Sequence, residues 1–231
     1  TVDMENRLFV TNIDTVGVYT NNSWTFFTSK DKNLSGGVMK FDISPQGDVW
    51  AYGIVYSMVY NNGIWEVRYK HEPGGNLITT IAPLNKDSAW IGGDTFLGYF
   101  TDNSIDLIKS NTPGKNTIKF VYSDKQGMIW TQAAGDNIIR YFNGTWDYSN
   151  STFGSLGKGT GKMIYTAEGS YCFLQSRDVL FYGSKINGSI QNFIVGSGFV
   201  PSGVLNDLVE DNSGQIWFAT TNGVVKNWSS V

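Results

Sequence analysis

Short apolar runs alternate with polar turns along the whole chain, and no segment keeps a 3.6-residue period over a helical length. The stretch 117–150 shows the unit: TIKFVYSD, a turn, GMIWTQA, a loop, NIIRYFN, a turn, then TWDYSN. Strand-length runs with turn residues about every ten positions predict an all-β chain.

The unit recurs. An apolar pair ends at Phe9, Trp50, Trp90, Trp130, Cys172 and Trp217, in steps of 41, 40, 40, 42 and 45 residues. About a dozen positions after each stands an asparagine: Asn22, Asn62, Asn103, Asn143, Asn187 and Asn227. Several open an Asn-Gly or Asn-Ser pair, and Asn-Gly between apolar runs favours a type I′ hairpin because both central residues tolerate positive φ. A third marker precedes the first. SPQGDVW (44–50), SDKQGMIW (123–130) and EDNSGQIW (210–217) share a polar residue, two spacers, Gly, two residues and Trp, the chemistry of a tight β-turn.

Four strands per repeat of about 41 residues predict blades stacked radially. A blade cannot bury both faces alone, so neighbours must cover it. The expected fold is an all-β β-propeller of four-stranded antiparallel blades, six in number, forming one domain over 1–231. The repeats run approximately 1–32, 33–74, 75–114, 115–156, 157–200 and 201–231. The terminal repeats are incomplete: the first lacks most of its inner strand, the last most of its outer one. Five or seven blades follow if an end is rearranged.

The run LNDLVEDNSGQIWFATTNGVVK (205–226) closely resembles the two-component regulator propeller repeat. The resemblance rests on Asp211, Gly214, Ile216, Trp217, Thr220, Asn222 and Gly223. It is thinner in repeats two (Gly47, Trp50) and four (Asp124, Gly127, Trp130); in repeat three Asp87 replaces the Gly, and in repeat five Cys172 replaces the Trp. The resemblance implies an extracytoplasmic sensor domain of the kind that often recognises carbohydrate fragments. Such propellers usually carry a further β domain, a membrane helix and a kinase, none of which is in this sequence.

Composition narrows the functions. Charged residues are 16% and aromatics 15%, with 27 Gly, the look of an extracytoplasmic β protein (periplasmic, cell-surface or secreted). A net charge of −3 with no cluster of Lys and Arg argues against nucleic acid. No apolar run is long enough to insert in a membrane. The chain opens on Thr1 without a signal peptide, as a mature or trimmed form would. One cysteine excludes an internal disulfide, and Cys172 in a Trp position is expected buried and inert. Six Asn-x-Ser/Thr sequons, at Asn21, Asn33, Asn143, Asn150, Asn187 and Asn227, suit chance in so Asn-rich a chain.

Propellers bind ligands on the face carrying the loops between second and third strands and between blades. Here the former are 11–15, 52–56, 92–96, 132–137, 175–178 and 219–223. They hold Tyr52, Tyr56, Asp94, Phe96, Gln132, Asp136, Gln175, Arg177 and Asn222. Aromatic faces stack on sugars while carboxylates, amides and guanidinium bond hydroxyls, so these are the candidate ligand-binding residues. The competing reading is ordinary polar loops with rim packing. Asp14, Asp94, Asp136 and Asp178 recur at similar positions; such carboxylates suit Ca2+ or acid–base work on a glycosidic bond, though Asp in a recurring turn has a plain structural cause. No other cofactor or metal is implied, and no catalytic residue is assigned. Trp50, Trp90, Trp130 and Trp217 are expected in the core, with Trp24, Trp65 and Trp146 more exposed on outer strands. A lone His71 excludes a two-histidine metal site and makes a Ser-His-Asp triad unsuited. GSLGKGTGK (154–162) precedes a strand, not a helix, and reads as an inter-blade loop.

Three functions fit: a non-catalytic sensor propeller binding an oligosaccharide or similar ligand, a polysaccharide-acting enzyme using loop carboxylates, and a scaffold for a protein partner.

Overall fold

The computed structural model describes residues 1–12, 14–28, 34, 37–53, 56–70, 77–101, 104–107, 117–124, 127–133, 138–147, 162–166, 169–176, 179–183, 190–194, 203–211 and 213–226. Every regular element among them is a strand, and these strands form six antiparallel sheets, the blades of a β-propeller. The first comprises β1 (Leu8–Thr11), β2 (Thr15–Thr20) and β3 (Ser23–Thr28). The second is β4 (Lys40–Ile43), β5 (Val49–Tyr52), β6 (Tyr56–Asn61) and β7 (Ile64–Lys70). The third is β8 (Ile78–Asn85), β9 (Ser88–Gly93), β10 (Leu97–Thr101) and β11 (Ser104–Leu107). The fourth is β12 (Ile118–Ser123), β13 (Ile129–Ala133), β14 (Ile139–Phe142) and β15 (Thr145–Asp147). The fifth is β16 (Lys162–Tyr165), β17 (Tyr171–Ser176), β18 (Val179–Gly183) and β19 (Ile190–Ile194). The sixth is β20 (Leu205–Glu210), β21 (Ile216–Thr220) and β22 (Gly223–Lys226). Within each sheet, strand order follows chain order, so every connection is a hairpin. In the first blade a lone bridge, Val2 to Leu8, stands where the inner strand begins the other blades, as the sequence pattern predicts.

The chain divides into two compact units, Thr1–Ser123 and Asp124–Val231, with the boundary in the turn after β12. In the first unit, one core packs Phe9, Val16 and Val18 of the first blade against Val49, Ala51, Met58 and Trp65 of the second. Another packs Trp50 and Val59 of the second blade against Ile81, Ala89, Ile91 and Phe100 of the third. In the second unit, Trp130 packs on Tyr171 and Phe173 with ring centroids 4.8 and 6.3 Å apart, and Cys172 and Leu174 join Leu208, Ile216 and Phe218. Trp50, Trp90 and Trp130 are buried as expected. Trp65 departs from expectation: it is 2% exposed, because Phe9, Phe27, Phe41 and Tyr60 surround its ring.

Two turns set the register. In the first, second and fourth blades the outer hairpin is a two-residue turn: Thr20 pairs with Ser23, Asn61 with Ile64, and Phe142 with Thr145. Their central residues, Asn21-Asn22, Asn62-Gly63 and Asn143-Gly144, all have positive φ, as a type I′ turn demands.

The inner hairpin is a tight turn with a bulge. In the fourth blade the Gly127 N–H donates to the Asp124 carbonyl, and the Asp124 N–H to the Met128 carbonyl. Gly127 sits at φ 78°, which only Gly or Asn adopts cheaply. The same geometry recurs at 44–48, 166–170 and 211–215, and at 3–7 with Asn6 (φ 58°) in the glycine position.

The side chain opening that turn is matched to the residue six positions on. Asp124 Oδ1 accepts the Met128 N–H, and its Oδ2 accepts the indole N–H of Trp130 at 3.0 Å. Asp211 does the same for Gln215 and, at 2.7 Å, for Trp217. Where the sixth residue lacks an N–H, the carboxylate is released or absent. Asp3 precedes Phe9 and instead holds the Arg7 guanidinium at 2.6 Å; Thr166 precedes Cys172 and its hydroxyl accepts the Ser170 N–H. Ser44 precedes Trp50, whose indole donates to the Asn85 carbonyl of the next blade at 2.9 Å. In the third blade the turn is shorter: Asn85 pairs with Ser88 around Lys86 and Asp87, so no glycine is needed.

Candidate functional site

The register brings the predicted loops together with the starts of the inner strands. In the second blade Lys40 pairs with Tyr52, and the Met39 N–H donates to the Tyr52 carbonyl at 2.9 Å. In the third, Ile78 pairs with Gly93, and the Asp94 N–H donates to the Leu77 carbonyl at 3.1 Å. In the sixth, Thr221 and Val204 meet in the same way. In these three blades the loop between second and third strands therefore lies beside the entry to the inner strand.

The candidate residues in the first unit separate into buried and open ones. Tyr52 is buried in the core between second and third blades, and Phe96 packs against that core. Phe96 folds back over Gly93, where even a Cβ would come within 2.0 Å of its ring. The Tyr52 phenol shares a hydrogen bond with Thr80, whose hydroxyl also accepts the Val121 N–H. Burial pushes the phenol's pKa well above its usual value, Asp42 adds to this, and the Thr80 bond opposes it. Tyr52 is thus a neutral hydrogen-bonding anchor across three blades. Tyr56 is half-buried, with the Lys70 ammonium 6.0 Å from its ring centre. Asp94 is half-buried in its turn.

In the second unit, Gln132 is fully buried within β13, and Asn222 is exposed in the two-residue turn between β21 and β22. The Asn222 N–H donates to the Thr220 hydroxyl at 3.1 Å. Asp136, Arg177, Asp178, His71 and the side chain of Gln175 lie outside the described residues. Asp14 is exposed. Among the described residues no group of three or more His, Cys, Asp or Glu is placed to hold a metal ion.

Three residues escaped the sequence reading. Met39 and Leu77, 55% and 44% exposed, open the inner strands beside Tyr52 and Asp94. Each is an apolar residue closing a polar inter-blade loop, which is the signal that could have found them. Ser57, paired with Tyr52 on the same side of the sheet, has a buried hydroxyl with no partner among the described residues. The loop end of the second and third blades thus offers two exposed apolar side chains, a half-open phenol with a neighbouring ammonium, and a carboxylate. That mixture can stack on a ring and bond its hydroxyls.

The fold and this loop end define a β-propeller of four-stranded blades. Residues 198–222 match the two component regulator propeller family, so the sixth blade carries that family's repeat where the sequence resemblance located it. No curated protein matches the chain by sequence. Solved structures share the fold at low identity. The extracellular domain of the hybrid two component system BT3049 from B. thetaiotaomicron superposes with a TM-score of 0.75 at 16% identity, covering 97% of this chain and 32% of that one. That of the one component system BT4673 from the same organism gives 0.69 at 17%, covering 99% and 31%. Catalytically inactive virginiamycin B lyase from Staphylococcus aureus, with quinupristin, gives 0.73 at 14%, covering 100% and 79%. This chain spans about a third of the length of those two extracellular domains.

Proposed function

We propose that this chain is the ligand-recognising propeller of an extracytoplasmic sensor, and that its loop end takes a carbohydrate-like ligand without cleaving it. The observation that carries the reading is the loop end of the second and third blades, where exposed Met39 opens its strand beside the Tyr52–Tyr56 loop and exposed Leu77 beside Asp94. Exposed apolar side chains beside a carboxylate and a phenol suit the alternating apolar faces and hydroxyls of a sugar. The two component regulator repeat and the sensor ectodomains of like fold support the role.

A second reading has its own observation. The lyases share the fold over the whole of this chain, and an enzyme would use loop carboxylates such as Asp94, or His71, as its acid and base. A thermal-shift screen against oligosaccharides, with and without Ca2+, separates the two. A ligand at 100 times its Kd adds about 2.7 kcal/mol of stability. A saturable shift that Asp94→Asn and Tyr56→Ala abolish, with the sugar recovered intact, is the expected result. Recovery of cleaved sugar overturns the sensor reading in favour of the enzyme. Failure of every sugar to shift the protein overturns the carbohydrate assignment and leaves a protein partner for the same face.

A further inference from the structure

The seam between the second and third blades ends, at the loop end, in two rows of side chains, both within the first unit. On the second blade cross-strand pairing puts Lys40, Tyr52, Ser57 and Tyr69 on one side of the sheet. On the third blade Ile78 pairs with Gly93. The Gly93 N–H donates to the Phe96 carbonyl at 2.9 Å, one pair beyond Gly92 and Leu97, so Phe96 completes that row. Tyr52, Tyr69, Ile78 and Phe96 meet in one core, so the two rows face each other.

Each row holds one residue that does not suit a permanent core. Ser57 is wholly enclosed, and its hydroxyl has no hydrogen-bond partner among the described residues. Enclosing a hydroxyl unpaired costs free energy, and the apolar groups of this core offer it no acceptor. On the facing row, the Phe96 ring occupies the place where a Cβ of Gly93 would stand. Phe96 is only half-buried, so solvent reaches part of it. The matching glycine of the second blade, Gly53, is approached instead by the Gly37 carbonyl. Backbone fills that place and cannot leave it; a side chain fills the other and can change rotamer.

We propose that this seam is a closed subsite of the ligand site at the loop end: Phe96 turns off Gly93, and an uncharged, hydroxyl-bearing group of the ligand takes its place and bonds the Ser57 hydroxyl. The subsite rests on the ligand reading of the loop end and adds what that ligand must carry. The side chains of the core bring no charge to the seam, and Lys40, the charged member of the row, is exposed and outside that core. A carboxylate entering there would be desolvated without a partner. The subsite therefore selects a neutral sugar over the matching uronic acid, with the rings of Tyr52 and Tyr69 as apolar walls.

The test titrates neutral oligosaccharides and their uronic acid counterparts against the wild type and three variants, each verified as folded by circular dichroism. Ser57→Ala separates a ligand role from a structural one. A hydroxyl that the fold needs lowers stability when removed, whereas an unpaired one raises it. The expected result is a melting temperature about 2–4 °C higher together with affinity for the neutral sugar about three- to tenfold lower. Gly93→Ala does the opposite. Its backbone lies outside the left-handed region, and the atoms a methyl group meets first all belong to the Phe96 ring, so the variant holds the seam open. It is expected to bind the neutral sugar about threefold tighter or more, since the open form no longer has to be selected, and the uronic acid no tighter. Phe96→Ala opens the same space without a collision and is expected to act likewise. A Ser57→Ala protein no more stable than the wild type overturns the subsite, whatever binds. Sugars that bind all four proteins alike, or uronic acids that gain most from the open variants, overturn the subsite and leave the loop end as the ligand site. No binding by any of the four overturns both.

Discussion

The fourth and sixth blades close their inner hairpin with Asp124 and Asp211; the second and fifth close the same hairpin with Ser44 and Thr166. The backbone is alike in all four, so the turn itself does not require the carboxylate. What differs is the residue six positions on. A carboxylate has two oxygens, and one can hold the turn while the other accepts an indole N–H. A hydroxyl can hold the turn but leaves no second acceptor at that place. It suffices for Cys172, which has no indole, and for Trp50, whose indole reaches a carbonyl of the next blade. The motif is thus a two-part device, and each part is free to drift when the other is lost.

The largest expected effect is on the indoles. Trp130→Ala removes a fully buried ring and is expected to cost about 3–5 kcal/mol, as large aromatic truncations in cores do. Trp217→Ala, at a half-buried position, is expected to cost clearly less; urea unfolding of both variants measures the gap, and equal losses would show that the sixth blade's tryptophan is as firmly packed as the fourth's.

Next comes the carboxylate. Asp124→Ala strands the buried indole N–H of Trp130 and is expected to cost about 1–3 kcal/mol. Ser44→Ala loses only turn hydrogen bonds, about 0.5–1.5 kcal/mol. A double-mutant cycle sharpens the contrast: Asp124→Ala with Trp130→Phe should show coupling, and Ser44→Ala with Trp50→Phe little. Coupling of the same size in both pairs would contradict the two-part account.

A smaller effect is in pH. Hydrogen bonds from the Ser213 hydroxyl, first, and from the Trp217 indole hold the Asp211 carboxyl well below the usual carboxylate range. A pKa lowered by folding means that its stabilisation is complete above the unfolded value of about 4 and is lost as pH falls below it. The difference in urea midpoint between wild type and Asp211→Asn should therefore be constant near neutrality and shrink as the pH falls from about 4. A difference that grew on acidification would be the wrong sign.

The smallest is at the bulge. Gly127→Ala forces a side chain to positive φ and is expected to cost about 1 kcal/mol. Asn6→Gly, at the matching position of the first blade, should change thermal stability by only a few tenths of a kcal/mol, since Asn already tolerates that conformation.

The fold was legible because its signals are local. Asn62-Gly63, Asn143-Gly144 and the Asp-x-x-Gly turns each set a hairpin from a few adjacent residues, and their 41-residue recurrence places the blades. The candidate site was legible only as a set of loops. Whether Tyr52 faces solvent or the core depends on Thr80, 28 positions on in the next blade, and no local pattern carries that. Trp24 and Trp65 show the limit most plainly. Both follow an outer hairpin turn and both pair with a tyrosine, Tyr19 and Tyr60, yet one is open and the other buried, because burial belongs to the neighbouring blade. Met39 and Leu77 carry no such signal because each opens an inner strand, beside the loop between second and third strands rather than within it.

The fifth blade's substitution at the tryptophan position also leaves the molecule with a built-in clock. Cys172 is the chain's one cysteine; it is wholly enclosed, and burial pushes its thiol far above the range in which it would react. An alkylating reagent can reach that sulfur only when the sheet around it opens. The rate of modification in the folded protein therefore reads the frequency of that opening without any engineered label, and the same single site would report whether a bound ligand slows the breathing of the fifth blade.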